Sequence, residues 1–230
     1  MKKAVILLSG GLDSAVASYL ARGDVGKMGE LYALTLDYGQ RHMASEVSRA
    51  TKLGELLGVG GHAFPSVGID FLSSALLSIS IDVPRTDGVK EGIPSTWVPQ
   101  RNSILLALAF AYAEEVGADS IYTGFHIVDY SGYPDCRPEF VDAITKALNL
   151  ASKRFVETGR GVGIVTPLIR KSKSEIVAIG AKLGVPFEHT WSCYYGNVLA
   201  CGKCDSCRIR LKAFEDARLV DPILYGGREL

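Results

Sequence analysis

The stretch Ile6-Leu7-Leu8-Ser9-Gly10-Gly11-Leu12-Asp13-Ser14-Ala15-Val16 restricts the possible folds more than any other part of the chain. An apolar run over residues 4–8 ends on Ser-Gly-Gly, and the apolar residues that follow change period: Leu12, Val16, Tyr19 and Leu20 fall on one helical face. A strand that hands its carboxyl end to a glycine turn and enters a helix at once is the opening unit of a parallel sheet. Met1-Lys2-Lys3 before the run imitates a signal peptide, but the run is too short for an apolar signal core, so it is read as a buried strand.

The alternation continues along the chain. β-rich runs occur at residues 31–36, 62–67, 120–123 and 163–166. Helical faces are formed by Leu105, Leu108, Tyr112 and Val116, and by Phe140, Ile144, Leu148, Ala151 and Phe155. The pattern predicts an α/β fold, a three-layer, Rossmann-like doubly wound parallel sheet of about five strands. Pro65 cannot donate a ladder hydrogen bond, which puts the third strand at an edge. Two regions break the rhythm. Residues 80–99, with three prolines and two glycines, exceed the length at which a structureless loop needs a functional reason, and read as a lid or binding loop. Beyond Gly184 the cysteines cluster and a short helix is expected at residues 208–218, so the chain divides into an α/β domain at residues 1–184 and a metal-stapled appendage at residues 185–230.

A glycine turn opening a helix leaves unpaired N–H groups and a positive dipole end aimed at one point, which attracts phosphate. Gly10 and Gly11 permit close approach, and Ser9 and Ser14 add hydroxyl donors. Asp13 would repel phosphate unless a cation stands between them; it either ligates Mg²⁺ or merely complements the helix N-terminus. The 25 basic side chains equal the 25 acidic ones in number. That balance favours a small-molecule partner over nucleic acid, and no apolar run is long enough to indicate a membrane partner.

Four of the five cysteines form Cys193-x7-Cys201-x2-Cys204-x2-Cys207. Four soft ligands at this spacing suit tetrahedral zinc, one structural ion per subunit, because all four positions would be filled. A redox Cys-x-x-Cys pair and a [4Fe–4S] cluster are the alternatives. Metal-binding cysteines rather than a disulfide framework fit a reducing, cytoplasmic location.

Ser9-Gly10-Gly11-Leu12-Asp13-Ser14 resembles the SGGxDS signature of PP-loop ATP pyrophosphatases, adenine nucleotide alpha hydrolase-like proteins. The resemblance implies ATP as co-substrate, held by Leu8, Ser9, Gly10, Gly11, Leu12, Asp13 and Ser14, with Tyr38 and Gln40 at the adenosine. Trp97-Val98-Pro99-Gln100-Arg101-Asn102, then Asp129-Tyr130-Ser131-Gly132-Tyr133-Pro134-Asp135-Cys136-Arg137, and Thr190-Trp191-Ser192-Cys193-Tyr194 resemble the 7-cyano-7-deazaguanine synthase family over nearly the whole chain. Gln100 stands where that family usually has glycine, and residues 125–128 replace a variable stretch. The resemblance implies an ATP-dependent C–N ligase that converts 7-carboxy-7-deazaguanine and ammonia to the nitrile, acting as a homodimer. Asp13, Arg101 and Lys171 are then the catalytic candidates, with Lys173 as an alternative to Lys171. Phe125, Tyr130 and Tyr133 would stack on the flat heterocycle, and Asp129 or Asp135 would accept from its guanine-like edge. Cys136 reads as a packing residue, and His126 and His189 as structural residues first and acid–base groups second. The alternatives are a PP-loop tRNA thiolation enzyme with Cys136 as sulfur carrier, and a non-catalytic nucleotide or zinc-binding module.

Overall fold

The computed structural model describes residues 1–84, 93–127 and 133–226. Five strands, β1 (Lys3–Leu7), β2 (Glu30–Leu34), β3 (Gly61–Ala63), β4 (Ser120–Tyr122) and β5 (Gly163–Val165), form one parallel sheet in the order β3-β2-β1-β4-β5. Seven α-helices accompany them among the described residues: α1 (Leu12–Val25), α2 (Met43–Leu57), α3 (Arg101–Val116), α4 (Pro138–Leu150), α5 (Lys153–Thr158), α6 (Lys173–Lys182) and α7 (Asp205–Asp216).

The three layers follow from the side-chain alternation of β1, which is apolar on both faces, as a central parallel strand must be. Ala4, Ile6 and Leu8 turn to a core shared with α1, α2, α6 and α7, while Val5 and Leu7 turn to a second core with α3 and α4. The C-terminal segment is not packed apart, since α7 contributes Ala213 and Phe214 to the first core. None of the described helices is long and apolar enough to cross a membrane.

Several elements differ from the expectations of the sequence. The third strand lies at the edge as Pro65 requires, but is confined to Gly61–Ala63; beyond it the Pro65 carbonyl still accepts from Asp37 N–H. Helix α3 is apolar all round from Ile104 to Ala113, and its buried apolar side chains are Leu106, Ala109, Phe110 and Ala113, with the expected Leu105, Leu108, Tyr112 and Val116 only half-buried beside them. The face expected from Phe140 to Phe155 is two helices: the chain breaks after Leu150, Ala151 is exposed, and Ser152 caps α5 by accepting from Phe155 N–H. The last helix begins at Asp205, three residues ahead of the expected start. In the long loop, residues 85–92 lie outside the described part; Val83 packs on the cysteine cluster and Val98 on Leu36 and Tyr38.

Candidate active site

In this strand order β1 sends its first connection to one side, through β2, while β4 lies on the other, so a crevice opens at the carboxyl ends of β1 and β4. The turn after β1 occupies that crevice. Gly10 has a φ of 77°, and a Cβ there would stand 2.6 Å from the Glu46 carbonyl of α2. Its freedom therefore serves the packing of α2 against the turn. Gly11 is the N-cap of α1, so the first turn of that helix faces the crevice. Ser9 Oγ accepts from Gly11 N–H at 3.3 Å, and Ser14 Oγ donates to the Gly11 carbonyl at 2.9 Å, which sets the hydroxyls beside the helix start. From the opposite side Trp191 N–H donates to the Gly10 carbonyl at 2.8 Å, tying the C-terminal segment to the turn.

Two clefts meet at this point. The first, of about 210 Å³, runs over the ends of β1 and β2; its lining includes Leu8, Ser9, Thr35, Leu36 and Tyr38. The second, of about 240 Å³, lies toward β4, with His126, Tyr133, Cys136 and Lys173 among its walls. Asp13, Arg101, Asn102, Gly124 and Phe125 line both.

At the junction Lys173 Nζ donates to Asp13 Oδ2 at 2.5 Å and stands 3.1 Å from His126 Nε2, which is itself 3.6 Å from Asp13 Oδ2. Burial alone would raise the Asp13 carboxyl, but the Lys173 charge, with His126 beside it, outweighs that and holds the carboxyl well below its usual range. Asp13 is thus a carboxylate at any working pH. Its Oδ1 is buried and has no hydrogen-bond partner among the described residues. Arg101, the first residue of α3, reaches across with its NH1 3.5 Å from Tyr38 Oη and its guanidinium 5.9 Å from the ring centres of Tyr38 and Tyr133. Among the described residues its neighbours are the Tyr38 and Tyr133 rings rather than a carboxylate, so a planar, permanently charged group stands at the junction. Burial pushes the Tyr38 phenol up to about 12, so it stays neutral and can donate.

The start of α3 is built for this placement. Gln100 before it has a φ of 58°, the left-handed conformation glycine adopts without cost, which accounts for glycine at this position in the resembled family. Asp135 turns its Oδ2 onto Asn102 N–H at 3.2 Å, satisfying an open helix donor, and its carbonyl accepts from Asn102 Nδ2 at the same distance. Asn102 Nδ2 also lies 3.3 Å from Cys136 Sγ, whose thiol burial pushes up to about 12.

Of the residues singled out from sequence, Leu8, Ser9, Gly11, Asp13, Ser14, Tyr38, Arg101, Phe125 and Tyr133 line the clefts, while Gly10 and Leu12 support the turn from behind. Gln40 is turned away: its side chain accepts from Tyr38 N–H and donates to the Leu36 carbonyl and to Glu46, bracing the end of β2. Asp135 caps α3 and lines neither cleft. Lys171 is half-exposed and paired with Glu175 at 3.2 Å, outside both clefts; Lys173, its alternative, occupies the junction. Asp129 and Tyr130 lie outside the described residues. His126 proves to be a neighbour of Asp13, and Asn102, Thr123 and Gly124 line the site without having been foreseen. Gly124 carried no local signal: a Cβ there would stand 2.7 Å from Ser14 N and 2.8 Å from Asp13 C.

Cys193, Cys201, Cys204 and Cys207 converge, with all four sulfurs within 4.8 Å of one another. Cys201 N–H points at Cys193 Sγ (3.4 Å), and the N–H groups of Lys203 and Cys204 point at Cys201 Sγ (3.4 and 3.3 Å), the donor set that stabilises thiolate charge. Beside the cluster, Arg210 is 1% exposed and forks onto Asp221 with distances of 2.8 and 2.9 Å, while also donating to Thr190 Oγ1 and the Phe187 carbonyl.

Comparison with known proteins places the chain in a family. The family described as queuosine biosynthesis protein QueC matches residues 3–218. A protein named 7-cyano-7-deazaguanine synthase from Dechloromonas aromatica is 49% identical over 98% of this chain and 99% of its own length. Its namesake from Clostridium kluyveri is 46% identical over the full length of both chains, and that from Nostoc punctiforme 44% identical over 97% of this chain. Among solved structures, the U34-tRNA thiolase NcsA from Methanococcus maripaludis superposes with a TM-score of 0.51 at 17% identity, covering 94% of this chain and 65% of that one; the likeness is one of fold.

Proposed function

The chain belongs to the queuosine biosynthesis protein QueC family, and from that premise we propose that it is an ATP-dependent ligase converting 7-carboxy-7-deazaguanine and ammonia to 7-cyano-7-deazaguanine. The observation that carries this reading is the meeting of two clefts at Asp13, Arg101 and Phe125. ATP lies along the β1–β2 cleft with its phosphates at the start of α1, and the heterocycle lies in the β4 cleft against Phe125 and Tyr133. A carboxylate oxygen then faces phosphorus at the junction, where Arg101 and Lys173 offset the accumulated negative charge.

The chemistry explains the arrangement. A carboxylate resists ammonia because its charge repels a nucleophile's lone pair and oxide is a poor leaving group. Transfer of phosphorus from ATP onto the carboxylate oxygen removes both obstacles. Ammonia adds at the carbon, the phosphorylated oxygen leaves, and a proton lost from nitrogen leaves a neutral amide. A second ATP activates the amide oxygen, whose departure with loss of the two remaining nitrogen protons gives the nitrile. The protein positions reactants and stabilises charge. The buried thiol of Cys136, pushed up to about 12, is no nucleophile at neutral pH, which speaks against sulfur transfer.

Asp13 Oδ1, buried and without a partner among the described residues, would hold a magnesium ion, which would supply positive charge against the phosphates. For the cysteines we assign one structural zinc per subunit. Four thiolates about 2.3 Å from one ion stand about 3.8 Å apart, and Cys201 Sγ and Cys207 Sγ are 3.9 Å apart; the corners of a four-iron cluster would hold them wider. We keep the division into an α/β unit of residues 1–184 and a zinc-binding appendage of residues 185–230, supported by the cluster of Trp191, Ala200 and Ile223 around the cysteines, while α7 also packs on the first core. Cytoplasmic action is supported by a site that needs ATP and reduced cysteines. A homodimer is supported by the exposed Leu199, Val220 and Leu224, which line one apolar groove that a second copy would cover.

Incubation with Mg-ATP, ammonium and 7-carboxy-7-deazaguanine tests the reaction. Mass spectrometry is expected to show loss of both carboxylate oxygens and gain of one nitrogen; unchanged substrate refutes it.

A further inference from the structure

The second cleft has a wall that the parallel sheet does not supply. Tyr194, Ser206 and Ile209 line it, and all three come from the cysteine segment. Tyr194 follows Cys193, Ser206 precedes Cys207, and Ile209 lies three residues further along α7. Residues three apart share a helix face, so Ser206 and Ile209 present a hydroxyl and an apolar side chain side by side to the cleft.

The orientation of α7 is tightly held. Its adjacent face carries Cys207, Arg210 and Phe214, all buried, and each is anchored differently: to the cysteine cluster, to Asp221 and Thr190, and to the first core. Three neighbouring polar groups of the cleft are already engaged. Asn102 binds Asp135, Lys173 binds Asp13, and Tyr133 Oη pairs with Thr96 Oγ1 at 2.9 Å. Ser206 Oγ makes no hydrogen bond among the described residues and is half-buried, a donor and acceptor facing the space a ligand would fill.

We propose that Ser206 and Ile209 are specificity-determining residues for the heterocycle. The Ser206 hydroxyl takes up a polar atom on the edge of the flat ring system, and Ile209 covers the neighbouring ring surface. The cysteine centre then does more than close the C-terminal segment, because it holds one wall of the substrate cleft at a fixed distance from Phe125 and Asp13. This inference rests on the reaction proposed above.

Steady-state kinetics and calorimetric binding of 7-carboxy-7-deazaguanine to the zinc-loaded enzyme decide it, using Ser206→Ala, Ser206→Thr and Ile209→Ala. Ser206→Ala is expected to raise both KM and Kd for the heterocycle about 3- to 10-fold, the loss of one hydrogen bond. Ile209→Ala is expected to raise them about 10-fold, the loss of a few buried methylenes. KM for ATP and zinc content should stay at wild-type values, and Ser206→Thr, which keeps the hydroxyl, should restore affinity to within about 2-fold. Wild-type heterocycle affinity in the alanine variants overturns the inference while leaving the reaction intact. So does a parallel rise in KM for ATP, or affinity lost only in step with zinc, since either reports general disturbance. A wild-type enzyme that neither binds nor converts the heterocycle refutes the reaction and this wall together.

Discussion

Replacing Gly124 by alanine should damage the junction of the two clefts without touching a charged or polar side chain. Gly124 follows β4 where the chain passes over the first turn of α1, and a Cβ there would stand 2.7 Å from Ser14 N, 2.8 Å from Asp13 C and 3.0 Å from Asp13 O. The shortest of these is about 0.7 Å inside the 3.4 Å at which ordinary contact begins. Backbone lies on both sides, so no rotamer change relieves the overlap. The φ of Gly124 is not in the left-handed region, so alanine meets no conformational penalty and the effect is steric alone. Overpacking of this kind costs about 1–3 kcal/mol. At about 2–4 °C per kcal/mol for a chain of this size, Tm should fall by about 2–12 °C. The same overlap displaces Asp13 and Ser14 by several tenths of an ångström, and misplacement of about 1 Å costs on the order of 10²-fold in rate. The expected fall in kcat/KM is about 10- to 100-fold, measured as nitrile formation, with scanning calorimetry for Tm. Gly23→Ala is the control: it is exposed inside α1, a Cβ there meets nothing within 4 Å, and it should gain about 0.5–1 kcal/mol. If Gly124→Ala keeps wild-type kcat/KM and Tm, the first turn of α1 is not the constrained reacting centre described above.

Three further outcomes follow from the same geometry. Lys173→Met should lower kcat/KM by about 10²-fold or more, whereas Lys171→Met, on the surface with Glu175, should change it less than about 2-fold. With Lys173 gone, burial, which raises the Asp13 carboxyl, is opposed only by His126, so the acid limb of the kcat/KM profile should move to higher pH; an unmoved limb contradicts the pairing. Burial holds His62 down at about 4 from an ordinary 6.5, so the unfolded chain gains its proton first, and stability should be full above pH 6.5 and decline as pH falls toward 4. Urea midpoints across that window should show a shallower decline for His62→Gln. Arg210→Met leaves Asp221 buried without its cation and should cost about 3–5 kcal/mol, read as a fall in Tm of about 6–20 °C; a drop under about 2 °C would mean that the pair does not anchor α7.

What could be read from sequence was local in the chain. The strand-glycine-helix unit, the edge position forced by Pro65 and the convergence of four closely spaced cysteines each depend on a short window of residues. What could not be read depends on distant parts meeting. Lys173 and Asp13 are 160 residues apart, and only the packing of α6 on α1 brings them into contact. Gly124 looks like any turn glycine until α1 is placed against it. Gln40 and Asp135 have the chemistry of ligand-binding groups and stand beside the site, but Gln40 is taken up by the backbone of Leu36 and Tyr38 and by Glu46, and one oxygen of Asp135 by Asn102 N–H. Helix α3 misled for another reason: every position from Ile104 to Ala113 is aliphatic or aromatic, so period alone does not select the buried face.

The central claim is that phosphorus from ATP is placed on the carboxylate oxygen at the junction of the two clefts. Turnover of 7-carboxy-7-deazaguanine labelled with ¹⁸O in its carboxylate, followed by mass analysis of the phosphorus-containing products, measures this directly. The account predicts that label leaves the heterocycle attached to phosphorus, in AMP or in inorganic phosphate. Label released only as water would contradict it.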